Sequence, residues 1–282
     1  MARSGERGRE AVADPRLGRL ELDLRRHSHQ RVSGGADALN PLLPPLKGFL
    51  ETSFVDWPGQ VTSVVFLPGC NFRCPYCHNH ALVLNPAQLV SWPLDRVLDK
   101  LAALKGWIDG VCITGGEPTL HAGLADLARV FRDRGLLVKL DTNGSRPAVV
   151  NDLLAAGLVD AVALDLKAPL EPVPYRRNAG PGSDLAAVAE TLDLLAAWNG
   201  WVEVRTTVHP ALLSCEELCR LAAQAGRALA HRHNARFTPQ RCRTDDPLDP
   251  SLRDAPPLTP EEFEDWAARA HEAFRGADPA ES

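Results

Sequence analysis

The sequence predicts an α/β fold, an incomplete (β/α)6 barrel whose parallel sheet curves but stays open on one side. Three observations predict it. Strand-like and helix-like stretches alternate about six times between residues 62 and 274. Roughly 230 residues hold these six units, whereas a closed eight-unit barrel usually takes about 250. Polar and glycine-rich residues follow each strand, and the C-terminal ends of strands are where such folds keep their chemistry.

The elements follow in order. Residues 1 to about 45 lack periodicity, and eight arginines are nearly offset by six acids, so no one-sign field arises. Pro41, Pro44 and Pro45 close the stretch, which is read as a flexible extension over 1–46. The main domain is expected at 47–276, with a short tail at 277–282. Gly48 to Gly59 is an extended lead-in that turns at Pro58-Gly59. Strands are expected at 62–67, 111–114, 136–140, 160–167, 201–207 and, more weakly, 235–238. Between them lie helical faces. Leu94, Val97, Leu98, Leu101 and Leu104 mark one; Leu120, Leu124, Leu127 and Phe131 mark the next. A short helix covers about 147–156 and stops at Gly157; Leu185, Val188, Leu192 and Leu195 form another. Ser214-Cys-Glu-Glu217 has the capping-box spacing, and Thr259-Pro-Glu-Glu262 places Thr at N-cap and Pro at N1 of the last helix.

Composition narrows the function. A net charge of −5 argues against a nucleic-acid binder, and no apolar run approaches the ~20 residues of a membrane span. The first residues lack the apolar core of a secretory signal, so a cytoplasmic location is expected. Three of the seven cysteines, Cys70, Cys74 and Cys77, fall within eight residues, which is too tight for a disulfide framework. They follow a buried strand and the Pro68-Gly69 turn. Three thiolates can hold three irons of a [4Fe–4S] cluster and leave the fourth iron open to a substrate. Two other readings stand beside this one. A zinc site would recruit His78 or His80, although His78 adjoins Cys77. Cys74-Pro-Tyr-Cys77-His78 also matches a haem-attachment pattern, which leaves Cys70 unexplained.

The other strand ends carry the remaining candidates. Gly115-Gly116-Glu117-Pro118 follows the second strand, and Asp141-Thr142-Asn143-Gly144 the third. Asp165 and Lys167 end the fourth, Arg205 lies on the fifth, and Gln240 follows the sixth. Cys112 reads as a small buried hydrophobe. Cys215 and Cys219 share a helix face; His209 and Cys242 carry no clear role.

C-x-x-x-C-x-x-C followed by Gly-Gly-Glu-Pro resembles the radical S-adenosylmethionine enzymes over roughly residues 47–240. Val55-Asp-Trp-Pro-Gly59, Cys74 to Asn79, Asp141 to Gly144 and Asp165-Leu-Lys167 are similar to the activating enzymes of glycyl-radical enzymes. Within that family the chain is most similar to activators of anaerobic ribonucleoside-triphosphate reductase, relatives of the pyruvate formate-lyase activators. The resemblance implies that S-adenosylmethionine chelates the open iron and is cleaved by one electron to methionine and a 5′-deoxyadenosyl radical. That radical then takes a hydrogen from a glycine of a partner protein. A reduced flavodoxin- or ferredoxin-like donor is implied as well. By the same resemblance Cys70, Cys74 and Cys77 hold the cluster, and Gly115 and Gly116 let backbone approach the methionine while Glu117 and Pro118 fix the turn. Lys167 and Arg205 offer cations to carboxylates, and Asp165 orients Lys167. Tyr76 offers an aromatic face to adenine. Asp141, Thr142 and Asn143 face the ribose or the carboxylate.

Overall fold

The apolar stretches assemble into one seven-stranded sheet. In the computed structural model, which describes residues 43–277, the strands are β1 (Gly48–Ser53), β2 (Thr62–Leu67), β3 (Gly110–Gly115), β4 (Leu137–Thr142), β5 (Ala161–Asp165), β6 (Trp201–Val208) and β7 (Ala235–Arg241). Their order in the sheet is their order in the chain. β2 through β7 pair in parallel, and β1 pairs antiparallel with β2. β1 and β7 are the two edges of an open sheet, as an incomplete barrel requires. The six-unit count had not included β1: the extended lead-in joins the sheet, with Gly48, Phe49 and Leu50 opposite Phe66, Val65 and Val64.

Helices fill the connections: α1 (His80–Leu84), α2 (Leu94–Ala103), α3 (Leu124–Arg132), α4 (Pro147–Ala155), α5 (Pro172–Ala179), α6 (Leu185–Ala197), α7 (Cys215–Leu229) and α8 (Pro260–Arg275). Both expected capping boxes form, Ser214 with Glu217 and Thr259 with Glu262. Three elements differ from expectation, the first being α1, since no helix was expected over 80–84. Leu120 lies in a 3-10 turn rather than in α3, because the Glu117 side chain accepts from Thr119 N and caps that turn. Helix α5 was not expected from a stretch holding Pro172 and Pro174. Both prolines sit in its first turn, where backbone N–H groups have no helical partner to lose. α5 buries Tyr175 edge-on against Phe72, ring centroids 6.4 Å apart.

Strand side chains alternate between two faces. Val65, Val111, Ile113, Val138, Leu140, Val162, Leu164, Val202 and Val204 join the helices in the apolar core. The intervening positions are markedly more polar: Thr114, Lys139, Asp141, Asp165, Glu203, Arg205 and Thr207. The sheet is therefore apolar toward its helices and ionic toward its concave interior, and the site grows from the second face.

Residues 1–42 of the expected extension and 278–282 of the expected tail lie outside the described residues. Leu46 is buried and bridges Trp92. Among the described residues no helix is long and apolar enough to cross a membrane.

α7 and α8 pack closely at Gly226 of α7, where an added Cβ would stand 2.2 Å from the Phe274 carbonyl oxygen of α8. Ala is intrinsically the better helix former by ~1 kcal/mol. Gly226→Ala is nevertheless expected to lower unfolding free energy by about 1–3 kcal/mol, because overpacking must push α8 away. Denaturant titration checks this, and a gain in stability would contradict the packing described.

Candidate functional site

The loops after β2, β3 and β4 converge with the ends of β5, β6 and β7 at the C-terminal end of the sheet. Leu67 and Gly115 are paired, so β2 and β3 end side by side. The chain leaving β3 bonds back onto the chain leaving β2: Gly116 N donates to Leu67 O at 2.9 Å, and Glu117 N to Gly69 O at 2.7 Å. A Cβ on Gly116 would lie 1.8 Å from Gly69 O, so only glycine permits this approach. Asn79 ties the two loops further, donating to Gly115 O at 2.9 Å.

Glu117 is wholly buried. Its Oε1 accepts from Thr119 N at 3.0 Å, from the Thr119 hydroxyl at 2.5 Å and from the Thr142 hydroxyl at 2.8 Å. Its Oε2 accepts from Asn143 N at 2.7 Å. Burial pushes its carboxyl upward, against these four donors. Neither Glu117 nor Pro118 lines the cavity described below. They shape the turn, and Gly115 and Gly116 present its backbone. Asn143 continues the chain of bonds, donating to Asn71 Oδ1 at 3.0 Å and approaching Cys70 Sγ at 3.8 Å. Thr142 and Asn143 thus spend polar atoms on neighbouring loops, although both still line the cavity.

The cavity has a volume of about 340 Å³. Cys70, Cys74, Cys77 and Tyr76 line it, as do Gly115, Gly116, Asp141, Thr142, Asn143, Asp165, Lys167 and Arg205. Of the expected site residues, all but Glu117 and Pro118 therefore meet at one place. Gln240 lines it too, paired with Thr207 in the sheet. His209 and Cys242 do not. His209 is buried, and its carbonyl accepts from Leu212 N and Leu213 N. Phe66, Thr114 and Thr207 also line the cavity and were not singled out from sequence, and Asp56 of the Val55–Gly59 segment lines it too. Thr207 follows Arg205 by two residues, so strand periodicity places both on one face.

The cysteines sit half-buried or buried, unpaired with one another. Burial pushes the Cys70 thiol up to about 11, and raises Cys74 and Cys77 also. Three thiolates in such a place need a compensating cation. Among the described residues, no three His, Cys, Asp or Glu side chains close around a point as a single ion needs. A four-iron cluster takes one thiolate on each of three irons and so spreads its ligands more widely than tetrahedral zinc does. The histidines agree. His78 Nε2 lies 2.7 Å from Arg243 O, and His80 Nε2 lies 3.2 Å from Asp246, both held by the loop after β7.

An ionic row lines the same cavity. Arg205 Nε donates to Asp165 Oδ1 at 2.8 Å, and Nη1 to Asp141 Oδ2 at 3.0 Å. Lys167 Nζ lies 3.2 Å from Asp165 Oδ2. Burial works against the Asp165 carboxylate, but Arg205 and Lys167 outweigh it and hold its pKa at about 2. Burial likewise opposes the Lys167 ammonium; Asp165, and then Cys74, keep it charged. The cavity thus presents three thiols, bare glycine backbone and a row of alternating carboxylates and cations.

Comparisons with known proteins agree with this geometry. The model of the Radical SAM superfamily matches residues 64–221. A relative from Methanocaldococcus jannaschii, provisionally named a glycyl-radical enzyme activating enzyme, is 31% identical over 176 residues, covering 61% of this chain and 72% of that one. An S-adenosylmethionine-dependent nucleotide dehydratase from a Thermoplasmatales archaeon (strain ISO4-H5) is 26% identical over 142 residues, 49% of each chain. A solved structure of TYW1 with a lysine–pyruvate adduct bound superposes with a TM-score of 0.51 at 18% identity, covering 75% of this chain and 73% of that one. This last likeness speaks to the fold alone.

Asp165 gives a pH test. Its folded pKa of about 2 lies below the ordinary 3.8, so its contribution is present above pH ~4 and lost as pH falls toward 2. The stability gap between the parent and Asp165→Asn, widest above pH 4, is expected to narrow by about 2 kcal/mol across that window. Urea titrations from pH 5 to 2 measure it. A gap independent of pH would remove the ion pair from the account.

Proposed function

The chain belongs to the radical SAM superfamily, and from that premise we propose that it is a glycyl-radical activating enzyme whose target is an anaerobic ribonucleoside-triphosphate reductase. Membership makes the [4Fe–4S] cluster and S-adenosylmethionine its cofactors. Cys70, Cys74 and Cys77 are the residues that would hold the cluster. When bound there, the cluster would supply the one electron that reductive cleavage of S-adenosylmethionine needs, and the hydrogen would be taken from the target glycine.

The chain's own residues bind, orient and shield. Gly115 and Gly116 let the methionine lie against backbone. Arg205 and Lys167 offer fixed cations to its carboxylate, each already oriented by Asp141 or Asp165. Tyr76, buried between two of the cysteines in sequence, lines the cavity and offers an aromatic ring on which adenine would stack. A reduced flavodoxin- or ferredoxin-like protein would supply the electron.

One observation carries the glycyl-radical reading. Asp56 belongs to the Val55–Gly59 segment on which the narrower resemblance rests, and it lines the same cavity as the cysteines. Phe54 and Val55 beside it are exposed. A segment of the partner therefore has an apolar rim to meet and a carboxylate just inside. The volume agrees: about 340 Å³ is near the lower end of the ~300–1,000 Å³ of small-molecule sites, enough for one bound cofactor. A second reading, a radical enzyme acting on a nucleotide or other small molecule, is favoured by the dehydratase relative.

Two outcomes follow. Cys74→Ala is expected to abolish both the ~400 nm absorbance of the reconstituted protein and reductive cleavage of S-adenosylmethionine, since the cluster needs its thiolate; surviving cleavage would displace the site. Anaerobic incubation of the parent with reductant, S-adenosylmethionine and the reductase is expected to give a glycine-centred doublet by electron paramagnetic resonance. Deoxyadenosine formed without that doublet favours the small-molecule reading.

A further inference from the structure

Lys139 has the burial of a core leucine and the charge of a surface residue. It lies mid-strand on β4, is wholly inaccessible to solvent, and does not line the cavity. A buried ammonium is costly unless paired. Its Nζ lies 2.6 Å from Asp141 Oδ1 and 3.9 Å from Glu203 Oε2. Glu203 is held in turn by Arg236 and by the Thr238 hydroxyl at 2.7 Å. The inner face of the sheet therefore carries an alternating row: Arg236, Glu203, Lys139, Asp141, Arg205, Asp165, Lys167. It starts at the edge strand β7 and ends beside the cysteines.

We infer that Lys139 is a positioning residue for the S-adenosylmethionine site, acting through Asp141 on Arg205. This rests on the reading that Arg205 faces the cofactor. Each oxygen of Asp141 has its own cation, Lys139 on Oδ1 and Arg205 on Oδ2. With Oδ1 engaged, Asp141 cannot rotate to take Arg205 in a two-point clasp. Arg205 instead divides itself, Nη1 to Asp141 and Nε to Asp165, and its Nη2 has no partner among the described residues. That free corner is what a ligand carboxylate would meet. Without Lys139, Asp141 would keep one cation and face Cys112, Asp165 and Arg205 unanchored. The guanidinium would then follow the carboxylate rather than the ligand.

The test uses the anaerobically reconstituted protein. Lys139→Met is expected to raise the dissociation constant for S-adenosylmethionine about tenfold, the usual size of a supporting-shell loss. Deoxyadenosine formation at saturating S-adenosylmethionine is expected to stay within about twofold, because uniform binding is what is lost. Combining Lys139→Met with Asp141→Asn is expected to bind no more weakly than Asp141→Asn alone, as residues acting in series do. If Arg205→Met leaves affinity unchanged, the site reading itself fails. If Arg205→Met weakens binding and Lys139→Met does not, Lys139 has no positioning role. Should Lys139→Met not fold, the parent protein labelled with 15N-lysine decides. The Lys139 ammonium resonance is expected to shift when S-adenosylmethionine is added, although the side chain never reaches the cavity; an unmoved resonance overturns the inference.

Discussion

The site depends on one buried carboxylate. Glu117 accepts from Thr119, Thr142 and Asn143, and so joins the loop after β3 to the loop after β4. Its own backbone N–H is fixed to Gly69 O, just before Cys70. Three loops that would each be mobile alone are thereby referred to a single point. The arrangement is one-sided in energy. Removing the carboxylate would strand several donors in a place water cannot reach, which costs more than the bonds themselves contribute. Preorganisation of the glycine turn is thus a consequence of burial, and Glu117 shapes the cavity wall without lining the cavity.

The ionic row on the inner face poses the opposite problem. Isolated charges there would be expensive, and the apolar core on the other face of the same strands offers no relief. The row solves this by alternation. Asp141 and Asp165 each touch two cations, and Arg205 touches two carboxylates. Hence burial pushes both carboxylates up, yet both end below the ordinary range. Pairs of this kind contribute little net stability compared with apolar replacements. Their value is directional: they aim side chains that would otherwise be flexible.

Much of this was legible in the chain. The alternation of strand and helix gave the open parallel sheet, and the residues after each strand gave the cavity wall, because strand C-termini converge by topology. Glu117 and Pro118 were placed in the turn from sequence, but their exclusion from the cavity was not, since hydrogen bonds to Thr142 and Asn143 are non-local. β1 was hidden because an edge strand needs no strong pattern of its own; pairing with β2 suffices. α5 was hidden by its prolines, which a first turn tolerates. Lys139 was read only as part of an apolar strand. Nothing local to Leu136–Leu140 announces a buried ammonium; its partners Asp141 and Glu203 come together only when β6 is laid two strands away from β4.

Whether the radical meets a peptide or a small molecule turns on what the cavity still admits once the cofactor is bound. A small substrate needs enclosure on several sides, with polar groups left over to recognise it. Here the polar groups of the wall are largely committed to one another: Thr142 to Glu117, Asn143 to Asn71 and Ser145, Asp141 and Asp165 to their cations. Of the lining residues, Thr207 and Gln240 remain uncommitted, and Phe54 and Val55 are exposed; Asp56 Oδ2 accepts from the Ser53 hydroxyl at 2.5 Å. A wall of that kind suits a ligand that brings its own scaffold and inserts only its tip. A glycine at the apex of a partner's loop, the target proposed above, would be such a tip, because it has no side chain to accommodate.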